Sequence, residues 1–248
     1  MKETKMNKNK RQAIYQISTL QALAGGNYYG ASTMKQLLAH GDTGLGTFAG
    51  VAGELIVIDG HCYRVLGDGS AVEADPAEKT PFATVTFLRP KEPMHLGHQA
   101  TINDLQDVLT QEVKARGFND VYIVRLDGRF RRVSARTELE QQEPYKPFAK
   151  VLETDERRFT FENIDGSLIG IYIPDYLNGV NTSGWHSHFI SADRSKGGHV
   201  FGLEMEEGTV IFNKADRFIM DMPHNKQFER GNLTASEDEI KQIEQGTE

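Results

Sequence analysis

The spacing of apolar residues predicts three helices in the first half of the chain. Residues 14–24 and 32–40 are predicted short helices, and Ser32 or Thr33 is a suitable N-cap for the second one. The clearest helix is predicted over residues 101–116, because its apolar positions recur at helical spacing and Gly117 follows its last turn. This helix is expected to lie across one face of a sheet.

Strand-like patterns separate these helices. Residues 46–72 contain short apolar runs interrupted by two Asp-Gly pairs, which favour tight hairpin turns, and residues 82–89 continue the pattern. Residues 120–126 and 129–136 are predicted to form a further hairpin around Asp127-Gly128. The first half is therefore expected to be a mixed β-sheet with helices.

The second half is predicted to be mostly β, in a barrel or closed sandwich. Its predicted strands are residues 157–163, 167–173, 186–191, 200–205 and 208–213. The overall prediction is a β-rich α/β fold in two linked halves, with a barrel-like second half. Prolines 144 and 147 mark the predicted boundary. The predicted units are a mobile tail (1–13), an N-terminal half (14–145), a C-terminal half (146–235) and a C-terminal tail helix (236–248).

Composition and charge exclude several classes of protein. The 248 residues carry a formal net charge of −7 and their Lys and Arg residues are scattered, which argues against a nucleic-acid partner. Cys62 is the single cysteine, so an intrachain disulfide is excluded. The basic N-terminus lacks the apolar run of a signal peptide, and no stretch is long enough to span a bilayer. A cytoplasmic protein without a membrane partner, acting on a small anionic molecule, is expected.

Three histidines form the most informative motif. In a strand, His186 and His188 project from the same face, and His199 follows a glycine-rich turn from which a neighbouring antiparallel strand could begin. Three neutral ligands with open positions left over are typical of a catalytic metal site, whereas structural zinc sites are usually closed by four residues. A His-x-His pair can also arise by chance, so this pair alone is a moderate signal.

Two charged residues of the first half are candidates for the chemistry. Glu54 begins an apolar strand, and it is interpreted either as an acid of the site or as a carboxylate at a sheet edge or turn. Arg136 ends a predicted strand, and it either binds a substrate carboxylate or forms a solvated or ion-paired group. The residues alone leave both alternatives open.

Motifs along nearly the whole chain past its tail resemble those of one known family. The matching segments are residues 14–19, 46–48, 53–56, 127–128, 136–137, 178–179, 183–189 and 197–201. They resemble acetolactate decarboxylases, the enzymes that convert 2-acetolactate to acetoin. The sequence departs from the family at Val51-Ala52, where a more polar pair is common, and at Trp185, where tyrosine is frequent.

The resemblance implies a zinc enzyme that is a homodimer. In that family the corresponding histidines bind zinc between the two halves, which implies His186, His188 and His199 as ligands here. It also implies that zinc acts as the electron sink for an enediolate formed when carbon dioxide leaves. The expected product is (R)-acetoin, in the acetoin and butanediol pathway.

The resemblance further implies three catalytic residues. Glu54 is expected to deliver a proton to the enediolate carbon, and Arg136 to hold the substrate carboxylate or hydroxyl. Relatives fold a C-terminal glutamate back toward the metal. Glu244 fits this role best, and Glu237 and Glu239 are the alternatives.

Two other interpretations are kept. A cupin-like metal-dependent dioxygenase or isomerase also carries His-x-His on a β-strand, but it usually adds a nearby carboxylate, for which Asp193 is the candidate, and iron. A non-catalytic, metal-dependent module that binds a small acid would use the same pocket. Metal analysis distinguishes the first from a zinc decarboxylase, and an assay for acetoin distinguishes the second.

Overall fold

A computed structural model describes residues 11–89 and 91–233, and within them the chain is a β-rich α/β structure with few helices. The first strands are β1 (Ala13–Ile17), β2 (Ser32–Thr33), β3 (Thr43–Thr47), β4 (Glu54–Ile58), β5 (His61–Val65), β6 (Ala71–Glu73), β7 (Lys79–Thr80), β8 (Phe82–Thr86) and β9 (Met94–Leu96). The later ones are β10 (Val121–Glu138), β11 (Glu156–Ile173), β12 (Gly184–Ser191), β13 (Gly197–Ala215) and β14 (Arg217–Asp221). The helices are α1 (Leu20–Ala24), α2 (Met34–Leu38), α3 (Ile102–Arg116), α4 (Phe148–Asp155) and α5 (Lys226–Arg230).

Two large sheets carry the fold. The seven-stranded sheet has the order β14-β1-β8-β3-β4-β5-β6, in which the β1–β14 pair is parallel and the other pairs are antiparallel. The second sheet is antiparallel and has the order β10-β11-β12-β13-β9, with β10 also paired to β13. Strands β2 and β7 form a small separate ribbon.

The two large sheets share a buried core. Ile56 of β4 clusters with Ile169 and Ile171 of β11 and with Ile190 of β12. Each of these side chains is essentially inaccessible to solvent, so the apolar surface they remove from water stabilises the contact between the sheets. This contact brings the start of β4 against β12.

The long helix α3 covers another part of the second sheet. Its buried positions, Leu105, Leu109 and Val113, recur at helical spacing and pack in a second core cluster with Phe212 of β13. Thr101 caps the helix in a reciprocal capping box with Asp104. The predicted helix over residues 101–116 is therefore confirmed, and so is the predicted sheet face beneath it.

The first predicted helix is only partly correct. Residues 13–17 form β1, which lies between β8 and β14, and the helix α1 begins later, after the N-cap Thr19. β1 pairs with a strand on each side, and nearly all of its residues are buried. These two constraints favour a strand although the apolar residues have helical spacing. The second predicted helix is confirmed as α2, with Thr33 as its N-cap.

The predicted hairpin at Asp127-Gly128 is wrong, because β10 runs through both residues without a turn. Gly128 pairs with Gly166 of β11 and with Gly208 of β13, and a Cβ atom at Gly128 would lie 2.6 Å from the carbonyl oxygen of Glu207. Here the glycine permits close approach of three strands and does not mark a turn. Similarly, β11 and β13 are each one long strand where the sequence predicted two shorter ones.

Sheet membership does not change at the predicted boundary near residue 145. Strands β9 and β10 belong to the same sheet as β11 to β13, while β14 adds to the first sheet. The division into two halves and the barrel-like character of the second half stay predictions. The predicted tail helix at 236–248 and most of the predicted tail at 1–13 lie outside the described residues. Among the described helices, none is long and apolar enough to cross a membrane.

Candidate metal centre

Strand register brings the three predicted histidines together. His186 and His188 lie two residues apart on β12, so their side chains share a face. His199 lies on β13 directly opposite His188 in the antiparallel pairing. Between these strands the chain turns through Arg194, whose φ is 62°, and Gly197 and Gly198 allow the strands to meet closely.

The ring nitrogens of these histidines converge. Nε2 of His186 lies 3.1 Å from Nε2 of His188 and 3.1 Å from Nδ1 of His199. Two nitrogens bound tetrahedrally to zinc at about 2.0–2.1 Å would be roughly 3.3 Å apart. The three side chains are the one group of three or more candidate metal ligands found among the described residues. Their spacing therefore fits a zinc-sized ion.

The protonation of the histidines also fits a metal site. Burial lowers the pKa of His186 to about 3, with a smaller effect from the nearby Arg136 guanidinium. Burial also lowers the pKa of His188 well below its ordinary value. Both rings are thus neutral near pH 7, as metal binding requires. His188 donates from Nδ1 to the carbonyl oxygen of Leu55 at 3.0 Å, which leaves its Nε2 lone pair directed at the other histidines.

Glu54 reaches the centre from the other sheet. It is the first residue of β4 and is 6% exposed, and its Oε2 lies 3.4 Å from Nε2 of His188. The backbone turns into β4 at Gly53, whose φ is +94°, and the Glu54 amide donates to Oγ1 of Thr137 at 3.2 Å. The sheet-edge interpretation of Glu54 is therefore wrong, because this carboxyl group is buried beside the histidines.

Arg136 lies on β10 opposite His199, and one of its terminal nitrogens, Nη2, is 3.4 Å from Nε2 of that ring. Its other terminal nitrogen donates to Oε2 of Glu156 at 2.7 Å, and the two side chains are 2% and 8% exposed. The arginine is thus ion-paired and at the same time adjacent to the three histidines. Burial disfavours the charged guanidinium, but the acidic side chains around Arg136, Glu156 among them, outweigh burial and raise its pKa.

Sequence reasoning missed several residues of the site. Glu138 is buried and hydrogen-bonded to Glu54, and it could have been found because it lies two residues after Arg136 on the same strand face. No sequence pattern pointed to Glu156, because it contacts Arg136 only through the pairing of β10 with β11. The site has an apolar side as well, formed by Leu20, Leu23, Phe82 and Phe148. Glu237, Glu239 and Glu244 lie outside the described residues.

These features define a class of protein. Three neutral imidazoles with open coordination positions, a buried carboxyl group and a buried arginine suit a metal-dependent enzyme that acts on a small anion. The apolar side chains on one side of the pocket suit the uncharged part of such a molecule.

Comparison with known proteins identifies the family. The sequence profile of alpha-acetolactate decarboxylase matches residues 14–235, so the chain belongs to this family of carboxy-lyases. The alpha-acetolactate decarboxylase of Methanosarcina mazei is 38% identical over 92% of this chain and 78% of its own length. That of Klebsiella aerogenes is 36% identical over 92% of this chain and 87% of its own length.

The fold agrees with this assignment. The crystal structure of alpha-acetolactate decarboxylase from Bacillus subtilis strain 168 superposes with a TM-score of 0.89 at 33% identity, and the match covers 94% of this chain and 99% of that one. The family resemblance inferred from the sequence motifs is therefore confirmed.

Proposed function

We propose that the protein catalyses the zinc-dependent decarboxylation of 2-acetolactate to (R)-acetoin. The observation that supports this most directly is the convergence of three ring nitrogens, from His186, His188 and His199, beside Glu54 and Arg136. Relatives at 33–38% identity are alpha-acetolactate decarboxylases, and the lowered pKa values of His186 and His188 keep these rings neutral, which suits zinc because zinc binds neutral imidazole readily.

The reaction determines what the site must do. 2-Acetolactate is a β-keto acid, so the loss of carbon dioxide leaves negative charge on the former ketone oxygen and on the adjacent carbon. Zinc, when bound, supplies a Lewis acid that accepts this developing charge. The side chains have three further tasks. They must orient the carboxylate, exclude water and deliver one proton to one face of the enediolate.

Arg136 is proposed to orient the substrate. Its Nη1 is engaged with Glu156, while Nη2 is directed toward His199 and the pocket. A guanidinium fixed in this way offers a donor of constant position to the substrate carboxylate or hydroxyl. The apolar groups of Leu20, Leu23 and Phe82 on the other side of the pocket would face the methyl groups and keep water out.

Glu54 is proposed to deliver the proton to the carbon that loses carbon dioxide. Its carboxyl group is buried and has a fixed direction, so the proton would arrive on one face only, which accounts for a single hand of acetoin. Glu244 is proposed to reach the same centre from the C-terminal tail. A homodimer located in the cytoplasm completes the proposal.

The decisive test is product formation from racemic 2-acetolactate, followed by chiral chromatography of the acetoin. The proposal predicts carbon dioxide release and (R)-acetoin, with one zinc per chain by elemental analysis. If no acetoin forms while small acids bind, the protein is a binding module. Iron together with oxygen consumption would instead identify a cupin-like dioxygenase.

A further inference from the structure

The candidate pocket has two unlike sides. Its polar side holds His186, His199 and Arg136, and its apolar side holds Leu20 and Leu23 of α1. The cavity between the two sides has a volume of about 30 Å³, which is room for about two water molecules. A molecule bound here therefore contacts both sides, and there is little spare volume for a larger one.

The two leucines form one apolar wall, called here the α1 wall, and their helix is held in place. They lie three residues apart, so they share one face of α1, and they are 1% and 6% exposed. The Thr19 side chain caps the helix, and the Leu20 amide donates to the carbonyl oxygen of Val180 at 3.0 Å. Because these bonds fix the start of the helix, the α1 wall resists displacement by a ligand.

A packed cluster supports the α1 wall. Leu20 and Leu23 belong to one apolar cluster with Val51, Val151 and Leu152, and all five side chains are buried. Interiors packed in this way tolerate added methylene groups poorly, because neighbouring side chains must leave their preferred rotamers to make room. An additional methylene on a bound molecule would therefore be opposed by the whole cluster.

The shape of the substrate determines which of its groups meets the α1 wall. In 2-acetolactate the tetrahedral carbon C2 bears the carboxylate, the hydroxyl group, the acetyl group and one methyl group. The proposed function directs the first three toward the polar side of the pocket, where Arg136 and the histidines lie. The fourth substituent of a tetrahedral carbon then points the opposite way, so the methyl group on C2 faces Leu20 and Leu23.

We propose that Leu20 and Leu23 are specificity-determining residues, which restrict the alkyl group on C2 of the substrate to a short chain. This inference rests on the proposed function, because it takes the orientation of the substrate from it. A methylene that a hydrophobic pocket cannot accommodate typically costs about 10–200-fold in specificity. The wild-type kcat/KM should therefore be about tenfold or more lower for the homologue with propyl on C2 than for 2-acetolactate.

Shortening either leucine should relax this discrimination. In Leu20→Ala and in Leu23→Ala, the ratio of kcat/KM for the propyl homologue to that for 2-acetolactate, measured as carbon dioxide release, should rise by about tenfold or more. Leu20→Val and Leu23→Val remove one carbon each and should raise the ratio by about threefold. These milder variants decide the test where an alanine variant does not fold.

Leu152→Ala is the matched control. Leu152 is 5% exposed and belongs to the same cluster, but it does not line the cavity. The substitution should lower the melting temperature about as much as the other two alanine substitutions, because it leaves a similar void in the same cluster. It should leave the ratio of the two kcat/KM values unchanged.

Binding of inert analogues tests the α1 wall without turnover. 2-Hydroxy-2-methylpropanoate and its homologue with propyl in place of one methyl group lack the ketone, so neither can lose carbon dioxide by this reaction. Calorimetric titration of the zinc-loaded protein gives the ratio of their two Kd values. Leu20→Ala and Leu23→Ala should shift this ratio toward the propyl homologue by about tenfold or more, and Leu152→Ala should not.

The outcomes separate the two proposals. If the leucine variants shift the binding ratio but no protein releases carbon dioxide from 2-acetolactate, the proposed function fails and the role of the α1 wall stands. Equal wild-type kcat/KM for the two substrates would overturn that role, as would ratios in the folded leucine variants within about twofold of wild type. An equal rise in Leu152→Ala would also overturn it, because the change would then come from loosened packing.

Discussion

Replacing Arg136 by methionine removes the charge from the centre of a buried group of carboxylates. The Arg136 side chain is 2% exposed, and its Nη1 lies 2.7 Å from Oε2 of Glu156, which is 8% exposed. Glu138 and Glu54 also lie within its electrostatic reach. Methionine keeps much of the side-chain length but cannot donate a hydrogen bond, so the substitution leaves buried carboxyl groups with less positive charge around them.

The expected cost follows from this burial. Removing one partner of a buried ion pair typically costs about 3–5 kcal/mol, because the remaining charge stays desolvated. Arg158 still contacts Glu156 after the substitution, so this carboxylate keeps one cationic partner. We therefore expect a loss near the lower limit, about 3 kcal/mol. For a chain of this size, that corresponds to a fall in melting temperature of roughly 6–12 °C.

Equilibrium unfolding in urea measures this loss directly. It should be done on metal-free protein at pH 7 and at a fixed protein concentration, so that metal binding and association do not contribute. Lys150→Met is the matched control, because the Lys150–Glu153 pair spans a similar distance, 2.7 Å, but is largely exposed. An exposed pair of this kind is worth about 0–1 kcal/mol.

A second variant tests the reason for the loss. Adding Glu156→Gln to Arg136→Met removes the uncompensated charge, so the double variant should regain about 1 kcal/mol or more. A loss below about 1 kcal/mol for Arg136→Met, or no recovery in the double variant, would refute the reasoning that a buried ion pair fixes this arginine.

Three further predictions concern the residues around the histidines. Gly53→Ala should cost at least about 2 kcal/mol in urea unfolding, because the residue has a φ of +94° and its new Cβ would lie 2.1 Å from the carbonyl oxygen of Val65. Gly60→Ala, with a φ of +79° and no atom within 4 Å of its Cβ, should cost only the backbone strain; equal losses would contradict the role assigned to the close contact. Glu54→Gln should keep the zinc content and lower turnover by about 10²–10⁴-fold, measured as carbon dioxide release, and an unchanged rate would assign the proton to another group. In metal-free protein, His186 should titrate near pH 3 by NMR, because burial lowers its pKa to about that value. The unfolded chain takes up this proton near pH 6.5, so the stability that His186 contributes is complete above pH 6.5 and is lost as the pH falls toward 3; a titration of the folded protein near 6.5 would contradict the burial argument.

The group of three histidines was predictable because its members are close together in the sequence. A two-residue period placed His186 and His188 on one strand face, and the glycines before His199 indicated a return on the next strand. The capped helix α3 was predictable for the same reason, since its capping box and its apolar spacing lie within one short segment. In short segments of this kind, the sequence spacing alone determines which residues share a face.

The contacts between distant strands were not predictable in this way. The ion pair of Arg136 with Glu156 depends on the pairing of β10 with β11, and the bond from His188 to Leu55 depends on how two sheets pack. The Asp127-Gly128 pair shows the same limit, because a local turn signal was overridden by strands on both sides. Glu138 was only partly predictable. Its sequence position places it on the same strand face as Arg136, but nothing in the sequence indicated its contact with Glu54.

Removal and return of the metal tests the central claim most directly. Carbon dioxide release from 2-acetolactate is measured on protein treated with a chelator, on the same protein after one equivalent of zinc, and on a His188→Gln variant given zinc. The account predicts loss of release on chelation, recovery with zinc, and little recovery in the variant, whose ligand set is incomplete. Full carbon dioxide release by metal-free protein would contradict it.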